Sequence, residues 1–381
     1  MFPKPVAELP AQSADYETVP LVRPTGFREY DARWQLGSEL NLMGVQALGM
    51  GLGTLLGELG CPRDIVTGHD YRSYSLSVKQ ALITGLMTAG CRVRDIGLAL
   101  SPMAYYAQFA LDAPAVAMVT ASHNANGWTG VKMGADKPVT FGPDEMARLK
   151  EIVLNANFES PGGGAYEFVT GFPEIYASAL ADRPPLKRKL KVVAACGNGT
   201  AGAFAPDILE RIGCEVIPLD CELDHTFPRY NPTPEDLEML AAMREAVLEH
   251  DADVGFGFDG DGDRCGIVDN EGNAIFADKV GVMLARDLVS AHGPQRFIVD
   301  VKATGLYQTD PVLAAGGADV EYWKTGHSHI KRRVREREAL AGFEKSGHFF
   351  FNAPVGHGYD DGLVAAIAVC DMLDRAGDRT L

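Results

Sequence analysis

AVAMVTASHN, residues 115–124, joins five apolar residues to a short segment of small and polar residues. Such a run is typical of a buried strand that ends in a loop at the carboxyl edge of a sheet. We therefore expect this loop to present Ser122 to solvent. The next apolar segment begins around Lys132, after two glycines that let the chain turn back, so the hydroxyl and the ammonium group should meet at one edge. This pairing favours a nucleophile beside a cation, although polar loops after strands also serve solvation alone.

Helices and strands alternate before this stretch. The apolar periodicity predicts a helix over residues 38–59 that ends before Gly60, and a second helix over residues 77–89. Each helix is followed by a short predicted strand, at residues 65–67 and 92–96. Alternation of this kind predicts βαβ units and a mostly parallel sheet, which binds ligands at its carboxyl edge.

An earlier segment, FREYDAR at residues 27–33, alternates apolar and charged residues. We expect a half-exposed strand here, with Arg28 and Asp31 on opposite faces. A solvated edge strand explains the same pattern without any binding role.

The length of the chain and its linkers predict three consecutive α/β domains with mixed, mostly parallel sheets. A chain of 381 residues is too long for one core. Pro161 and the three glycines after it form the clearest linker, so we place the first domain over residues 1–164. The second predicted domain covers residues 165–273 and the third covers residues 274–381. One helix of the third domain is predicted at residues 308–315.

The sequence DVGFGFDGDGDR, residues 253–264, carries three aspartates at alternate positions with glycine between them. Asp259, Asp261 and Asp263 bring hard oxygen ligands together on a tight loop that suits a divalent cation. Without a cation, carboxylates at this spacing repel one another. An EF-hand calcium loop needs glycine where Arg264 stands, so Mg²⁺ is the better match. A solvated acidic turn is the alternative.

Polar residues also follow the strands predicted in the third domain. Lys302 comes after a strand at residues 297–300, and the segment KTGHSHIKRRVRER at residues 324–337 follows the next strand. We expect the basic half of this segment, which contains Lys331 and four arginines, to be mostly a solvated helix face. The segment EKSGH, residues 344–348, precedes a final strand of three phenylalanines.

Composition limits the class of protein. The formal net charge of −16 excludes the broad basic surface that nucleic acids and anionic membranes require. The seven cysteines are scattered and form no Cys-x-x-Cys pair, which indicates a cytoplasmic protein with buried structural thiols. The uncharged run at residues 40–57 has the glycine, asparagine and glutamine content of a core helix rather than of a membrane span.

Five segments of this chain are similar, in order, to motifs of the α-D-phosphohexomutase family, most closely of its bacterial phosphomannomutase/phosphoglucomutase branch. They are residues 27–33, 120–132, 259–264, 325–331 and 344–348. Each segment alone is unspecific, but the combination is highly specific. The resemblance implies an isomerase that interconverts the 1-phosphates and 6-phosphates of mannose or glucose, with its active-site cleft at the junction of the domains.

The resemblance also implies roles for individual residues. Ser122 would be carried as phosphoserine, and one of its phosphoryl oxygens would join the aspartates around Mg²⁺. Glu344 and Ser346 would contact sugar hydroxyls. The implied metal ligands are Ser122, Asp259, Asp261 and Asp263. The implied catalytic residues are Ser122, Lys132, Arg264 and His327. The implied substrate-binding residues are Tyr30, Arg33, Lys302, Glu344, Ser346 and His348.

The implied reaction runs through glucose or mannose 1,6-bisphosphate, which serves as intermediate and activator. Phospho-Ser122 gives its phosphoryl group to a hexose monophosphate, the sugar turns over, and its other phosphate returns to Ser122. Lys132 or His327 would carry the proton, and the acid and base roles stay open between them. Phosphoryl transfer depends mainly on positioning and charge stabilisation, so a metal ion and several cationic side chains are expected in the active site.

The chain departs from the family pattern at Trp34, Ala125 and Thr129, where glycine, proline and asparagine are usual. These departures concern loop rigidity more than chemistry. The family also has a fourth domain that grips the non-reacting phosphate, and no segment after Asp360 resembles its loop. We therefore expect three of the four domains and impaired turnover, because the substrate is held less firmly. Two alternatives stay open, phosphoglucosamine mutase and a non-catalytic sugar-phosphate-binding protein.

Overall fold

The computed structural model describes residues 2–377 and 380–381. The chain divides into two compact units, one that ends at Phe172 and one that begins at Pro173. The first unit contains one sheet, and the second unit contains two. Within the described residues, no helix combines the length and the hydrophobicity needed to cross a membrane.

The first unit is built on a six-stranded sheet. Its strands are β1 Ala32–Gln35, β2 Asp64–His69, β3 Arg92–Leu98, β4 Ala115–Val119, β5 Trp128–Gly134 and β6 Ala165–Phe168. Its helices are α1 Asp15–Thr18, α2 Leu42–Glu58, α3 Ser75–Thr88, α4 Ser101–Ala110 and α5 Pro143–Asn155, with a 3₁₀ turn at Pro24–Gly26. The strand order is β1-β5-β4-β2-β3-β6, in which only β5 runs antiparallel to both of its neighbours.

The two central strands of this sheet bring two polar loops together. Strands β2 and β4 are parallel neighbours, with His69 opposite Val119 at their ends. The loops that follow them therefore leave the same edge, and the Asp70 N–H donates to the Val119 carbonyl at 3.0 Å. Strand β4 has the bounds that the sequence predicts, and all five of its residues are buried.

Helix α2 is rich in glycine because it lies very close to α3. A Cβ atom on Gly49 would come within 2.3 Å of the Leu82 carbonyl oxygen. The run at residues 40–57 is thus part of the core, as predicted. The helix begins at Leu42 rather than at residue 38, because the Asn41 side chain accepts the Gly44 N–H at 2.7 Å and caps the helix there.

The prediction of a strand over residues 27–33 is wrong. Phe27 and Ala32 form an isolated antiparallel bridge, and the Arg28 N–H donates to the Asp31 carbonyl at 2.9 Å. Residues 28–31 are therefore a turn, and the strand begins only at Ala32. Alternation of charged and apolar residues cannot distinguish a strand from a turn of this kind, because both expose part of their charged side chains, here Arg28 and Glu29 but not Asp31.

The predicted boundary at residue 164 lies inside the first compact unit. Strand β6, which follows the glycine linker, pairs in parallel with β3, with Arg92 opposite Ala165. Gly164 itself contacts the Met87 backbone, since a Cβ there would lie 2.1 Å from the Met87 carbonyl oxygen. Gly164 thus allows the close approach with which the chain enters the edge strand β6, whereas Gly162 and Gly163 have positive φ and open space beside them.

The second unit contains a five-stranded and a four-stranded sheet. The strands of the five-stranded sheet are β7 Lys191–Ala195, β8 Glu215–Leu219, β9 Val254–Phe258, β10 Cys265–Asp269 and β11 Ala274–Ile275. Those of the four-stranded sheet are β12 Arg296–Asp300, β13 Asp319–Trp323, β14 Ala341–Phe343 and β15 Phe349–Phe351. The strand orders are β11-β10-β9-β7-β8 and β13-β12-β14-β15.

Helices join the strands of both sheets. Their bounds are α6 Phe172–Ala181, α7 Ala205–Arg211, α8 Leu237–His250, α9 Ala277–His292, α10 Leu306–Thr309, α11 Pro311–Ala315, α12 His327–Glu336 and α13 Gly362–Ala376, with a 3₁₀ turn at Thr200–Ala203. Strand β7 is parallel to β8 and β9, and β12 is parallel to β13 and β14. The loops after these parallel strands carry the polar segments described above.

The helix predicted at residues 308–315 is instead two short helices. Proline has no N–H to donate and disfavours helical backbone in the residue before it. Asp310 is accordingly extended before Pro311. Its carboxylate then caps α11 by accepting the Val312 and Leu313 N–H groups, at 2.9 and 3.0 Å.

The prediction that the basic helix is mostly solvated is also wrong. Of its five basic residues, only Arg335 is exposed. Arg333 lies over the Trp323 ring at 4.1 Å and pairs with Glu321. Lys331 is fully buried, and its Nζ lies 2.7 Å from an Asp360 carboxylate oxygen that is equally buried.

Replacing Lys331 with methionine is expected to destabilise the protein by about 3–5 kcal/mol, because it leaves the Asp360 charge buried without its cation. Denaturant unfolding of the purified chain measures this loss. Lys324→Met, at an exposed position in the loop before α12, is the matched control and should change stability by less than about 0.5 kcal/mol. Equal effects of the two substitutions would contradict the assignment.

Candidate active site

Ser122 lies in the loop after β4, and the prediction that it is presented to solvent is wrong for this unit. Only 1% of the residue is exposed. Its backbone is left-handed, with φ at 51°, which is uncommon for a residue other than glycine. The Ser122 N–H donates to the Thr120 hydroxyl at 2.8 Å, and the Ser122 Oγ lies 3.2 Å from His123 Nδ1. A serine in this conformation must be held by surrounding contacts.

Asp70 and Arg72, from the loop after β2, supply such contacts. One Asp70 carboxylate oxygen accepts the Thr120 hydroxyl at 2.9 Å and the Ala121 N–H at 3.1 Å. Arg72 pairs with the same carboxylate, and its Nη2 donates to the backbone carbonyls of Ser122 and Asn124, at 2.9 and 2.7 Å. Asp70 and Arg72 are both buried. The serine loop is thus fixed through its backbone by one ion pair.

Sequence reasoning did not assign Asp70 and Arg72 to the site. The pattern that could have found them is the one that found Ser122, because polar residues follow a buried strand in both places. The sequence does not show that β2 and β4 are adjacent strands, and this adjacency is what places the two loops together.

Arg72→Lys is expected to lower kcat about 10- to 100-fold with little change in KM, because a lysine keeps the charge but cannot donate to both carbonyls at once. Steady-state kinetics with a hexose 1-phosphate measures both parameters. Arg94→Lys is the matched control, since Arg94 lies in the same sheet but donates its hydrogen bonds to Asp64 and to the Leu111 carbonyl, outside the serine loop. A kcat for Arg72→Lys equal to that of the control would contradict a positioning role.

Three other predicted site residues belong to the first unit, and one of them contacts this loop. Arg33, on β1, pairs with Asp31 at 2.8 Å, and its Nη1 lies 3.2 Å from Asn124 Oδ1 and 3.4 Å from the Ala121 carbonyl. Lys132 lies on β5 opposite Met118 of β4 and is buried. Tyr30 is half-buried in the turn at residues 28–31.

The acidic loop of the second unit connects the antiparallel strands β9 and β10. Its three aspartates are fully buried, and one carboxylate oxygen from each lies within 4.8 Å of the others. Asp259 Oδ1 also accepts the N–H groups of Asp263 and Arg264, at 3.1 and 3.2 Å, which holds the loop in a tight turn. Three buried carboxylates this close are costly unless a cation compensates them. The donor set is that of a hard divalent cation, so Asp259, Asp261 and Asp263 fit a metal site.

Arg264 and His348 lie directly beside these carboxylates. Arg264 Nε is 3.8 Å from Asp259 Oδ2 and 3.3 Å from His348 Nε2, and its Nη1 is 3.4 Å from Glu235. His348 Nε2 is 3.4 Å from Asp263 Oδ1. An arginine and an imidazole therefore border the candidate metal site.

The environment shifts the pKa of His348. Burial by itself lowers this pKa, but the carboxylates of Asp263 and Glu344 outweigh burial and the opposing charge of Arg264, and they raise it to about 9. A divalent cation bound at Asp263 would weaken this negative field. Protonation of His348 and metal binding are therefore expected to compete.

The segment at residues 344–348 joins the same cluster. Glu344 is buried, its Oε1 accepts the Gly326 N–H at 2.6 Å, and its Oε2 lies 3.0 Å from His348 Nδ1. Ser346 Oγ also lies 3.0 Å from His348 Nδ1. His327, the first residue of α12, is buried with its ring centre 5.9 Å from that of His348. The structure thus brings the predicted residues of the second unit together, with one exception.

The exception is Lys302, whose side chain is exposed on the loop after β12. Its N–H donates to Asp300 Oδ1 at 2.6 Å, and the Lys345 N–H donates to Asp300 Oδ2 at 2.8 Å. Both lysines, with Ser346 and Thr325, line one side of a cavity of about 370 Å³. Asp300 was not predicted as part of the site, although it ends a buried strand as Val119 does.

The fold and these two groups of residues define a multi-domain α/β protein with the features of a phosphosugar mutase. Three successive domain families match it, namely phosphoglucomutase/phosphomannomutase alpha/beta/alpha domain I over residues 24–160, domain II over residues 174–272 and domain III over residues 276–381. The chain belongs to the phosphoglucomutase/phosphomannomutase family. This family is of the metal-dependent phosphohexomutase type, and the acidic loop is able to bind a metal.

Individual relatives agree with this assignment. The chain is 35% identical to the phosphomannomutase/phosphoglucomutase of Pseudomonas putida, over 94% of this chain and 76% of the relative. It is 32% identical to the phosphoglucomutase of Neisseria gonorrhoeae, over 92% of this chain and 75% of the relative. A solved structure of a phosphoglucomutase/phosphomannomutase family protein from Burkholderia thailandensis superposes with a TM-score of 0.88 at 31% identity, covering 94% of this chain and 78% of that one.

Proposed function

We propose that this chain is an isomerase that interconverts hexose 1-phosphates and hexose 6-phosphates, with mannose or glucose as the sugar. The observation that carries the proposal is the buried acidic loop with Arg264 and His348 beside it, in a chain 35% identical to a phosphomannomutase/phosphoglucomutase. The buried carboxylates are suited to a metal ion, and the neighbouring cationic side chains are suited to the negative charge of a phosphoryl group.

Ser122 is the proposed carrier of the phosphoryl group. The phosphoserine gives this group to a hexose monophosphate, which yields a hexose 1,6-bisphosphate, and the second phosphate then returns to the serine. The contacts of Arg33 and Arg72 with the loop support this role, because they fix the backbone that carries the hydroxyl. Lys132 and His327 are the proposed proton carriers, and both side chains are buried within their units rather than extended into solvent.

Asp259, Asp261 and Asp263 are the proposed ligands of Mg²⁺, with a phosphoserine oxygen of Ser122 as a further ligand. The ion would supply charge neutralisation for the phosphoryl oxygens. Arg264 is proposed to stabilise the negative charge of the same phosphoryl oxygens, because its guanidinium lies beside both Asp259 and His348. Glucose or mannose 1,6-bisphosphate is the proposed activator.

Glu344 and Ser346 are the proposed contacts to the sugar hydroxyls, with His348 between them. The distances support this assignment, since both side chains lie 3.0 Å from His348 Nδ1 and so form one preorganised polar surface. Tyr30, Arg33 and Lys302 complete the proposed substrate-binding set. Lys302 is suited to a phosphate because its exposed side chain borders the cavity that Ser346 also lines.

Turnover of three substrates tests the proposal. We expect conversion of glucose 1-phosphate and mannose 1-phosphate in the presence of Mg²⁺ and a trace of the 1,6-bisphosphate, and at least about tenfold slower conversion of glucosamine 1-phosphate. Preferred conversion of glucosamine 1-phosphate would favour a phosphoglucosamine mutase instead. Binding of all three sugars without any turnover would favour a sugar-phosphate-binding protein.

A further inference from the structure

Two cysteines face each other at the carboxyl edge of the five-stranded sheet. Cys196 follows β7 and Cys221 lies just after β8, and these two strands are parallel neighbours. Their Sγ atoms are 3.5 Å apart. Cys196 is buried, whereas Cys221 is only half-buried. Neither residue belongs to the proposed catalytic or binding set.

We propose that Cys196 and Cys221 form a peroxide-sensitive modification site, and that their disulfide weakens cation binding at the acidic loop. The second half of this inference rests on the proposed function, because it requires that loop to bind Mg²⁺. The first half stands on the geometry of the two thiols alone.

The chemistry requires a two-electron oxidant of the hydroperoxide class. The Cys221 thiolate attacks the O–O bond of hydrogen peroxide, which breaks to give a sulfenic acid and, after protonation, one water. The Cys196 thiolate then attacks the Cys221 sulfur, so that the S–S bond forms, the S–O bond breaks and a second water leaves. Two thiols are oxidised by two electrons in all, and one peroxide is reduced to two waters.

The environment of the pair favours this order of events. The Cys221 thiol donates a hydrogen bond to the Cys196 Sγ, at 3.5 Å, and Cys221 is the less buried residue of the two. The less buried sulfur is therefore the one that a peroxide reaches first, and it reacts as its thiolate. The buried sulfur is placed to resolve the sulfenic acid.

Disulfide formation would move the turn that begins at Cys196. The two sulfurs must approach by about 1.5 Å to reach the S–S bond length of about 2.05 Å. This turn has no free space beside Cys221, since a Cβ on Gly202 would lie 2.1 Å from the Cys221 carbonyl oxygen. The movement must therefore be taken up by the rest of the turn.

The same turn is joined to the acidic loop. The Thr200 N–H donates to the Gly260 carbonyl at 3.3 Å, and Gly260 separates Asp259 from Asp261. A shift of Thr200 changes the position of the peptide between two proposed metal ligands. Since Mg²⁺ demands near-ideal octahedral geometry, a small displacement of its ligands lowers affinity.

The second unit offers a matched pair for comparison. Cys214 and Cys370 have their Sγ atoms 3.9 Å apart, but both residues are buried, with 7% and no exposure. A peroxide has no open sulfur to attack there. We expect this pair to stay reduced under conditions that oxidise Cys221.

The test treats the full chain with a small excess of hydrogen peroxide and maps disulfides by mass spectrometry without reduction. We expect a Cys196–Cys221 disulfide in the wild-type protein and in Cys214→Ser, its absence in Cys221→Ser, and its reversal by dithiothreitol. Calorimetry with MgCl₂ should then show at least threefold weaker binding in the oxidised wild-type protein, and no such change in peroxide-treated Cys221→Ser.

Absence of this disulfide, or equal Mg²⁺ affinities of the oxidised and reduced forms, would overturn the inference. A reduced protein that binds no Mg²⁺ would contradict the proposed metal site instead, and the disulfide map would still test the thiol pair by itself. The two failures are therefore distinguishable.

Discussion

The Ser122→Ala variant is expected to lose at least about 10⁴-fold in kcat/KM for glucose 1-phosphate, because removal of a catalytic nucleophile leaves only the binding and charge contributions of the site. The loop itself should keep its shape. Its backbone is held by Asp70 and Arg72, through hydrogen bonds that do not involve the Ser122 hydroxyl.

A coupled assay of glucose 6-phosphate formation measures this loss. Ser290→Ala is the control, since Ser290 is an exposed serine on α9 whose hydroxyl contacts only its own helix, at the Arg286 carbonyl. Residual activity of Ser122→Ala within tenfold of the wild type would show that another group carries the phosphoryl transfer.

Replacement of Asp261 with asparagine is expected to weaken Mg²⁺ binding by at least about 100-fold, since loss of a mere supporting residue around a metal already costs 10- to 100-fold. The side chain is fully buried, so its volume is kept while its charge is removed. Turnover at low Mg²⁺ should fall in parallel, and chelation with EDTA should inactivate the wild-type enzyme reversibly.

Titration of activity against MgCl₂ measures the effect for both proteins. Asp251→Asn is the control, because Asp251 is an exposed residue that ends α8 in a left-handed conformation, which asparagine also adopts. An unchanged Mg²⁺ requirement in Asp261→Asn would contradict the proposal that the acidic loop binds Mg²⁺.

Local sequence patterns were sufficient where the chemistry is local. The run at residues 115–119 predicted β4 to the residue, and the alternate aspartates predicted a tight acidic loop, whose three carboxylates lie close enough together to hold a metal ion. In both cases the deciding residues are adjacent in the chain. The residue types of the segment are then enough to locate the strand or the loop in the chain.

Predictions failed where partners from distant segments decide the outcome. Ser122 is buried, and Asp70 and Arg72, about fifty residues earlier, hold the backbone of its loop. Lys331 is buried because Asp360 supplies its counter-charge. Neither partner can be inferred from helix or strand periodicity. Periodicity shows which residues of a segment face the solvent and which face the core, but not which distant residue they contact.

Breaks in regular structure were also missed when the pattern around them was regular. The turn at residues 28–31 keeps the alternation of a strand, and Pro311 interrupts a segment whose apolar spacing suits one helix. Strand β6 lies beyond a glycine linker that looks like a domain boundary. The division between the second and third domains near residue 274 stays a prediction.

The central claim is that Ser122 carries a phosphoryl group, and the intact mass of the protein tests it most directly. The mass is measured before and after incubation with glucose 1,6-bisphosphate and Mg²⁺, with Ser122→Ala in parallel. We expect a phosphate-sized increment on Ser122 in the wild type that is lost on exchange with a hexose monophosphate and is absent from the variant. A wild-type mass that never shows this increment, or an increment that persists in Ser122→Ala, would contradict the account.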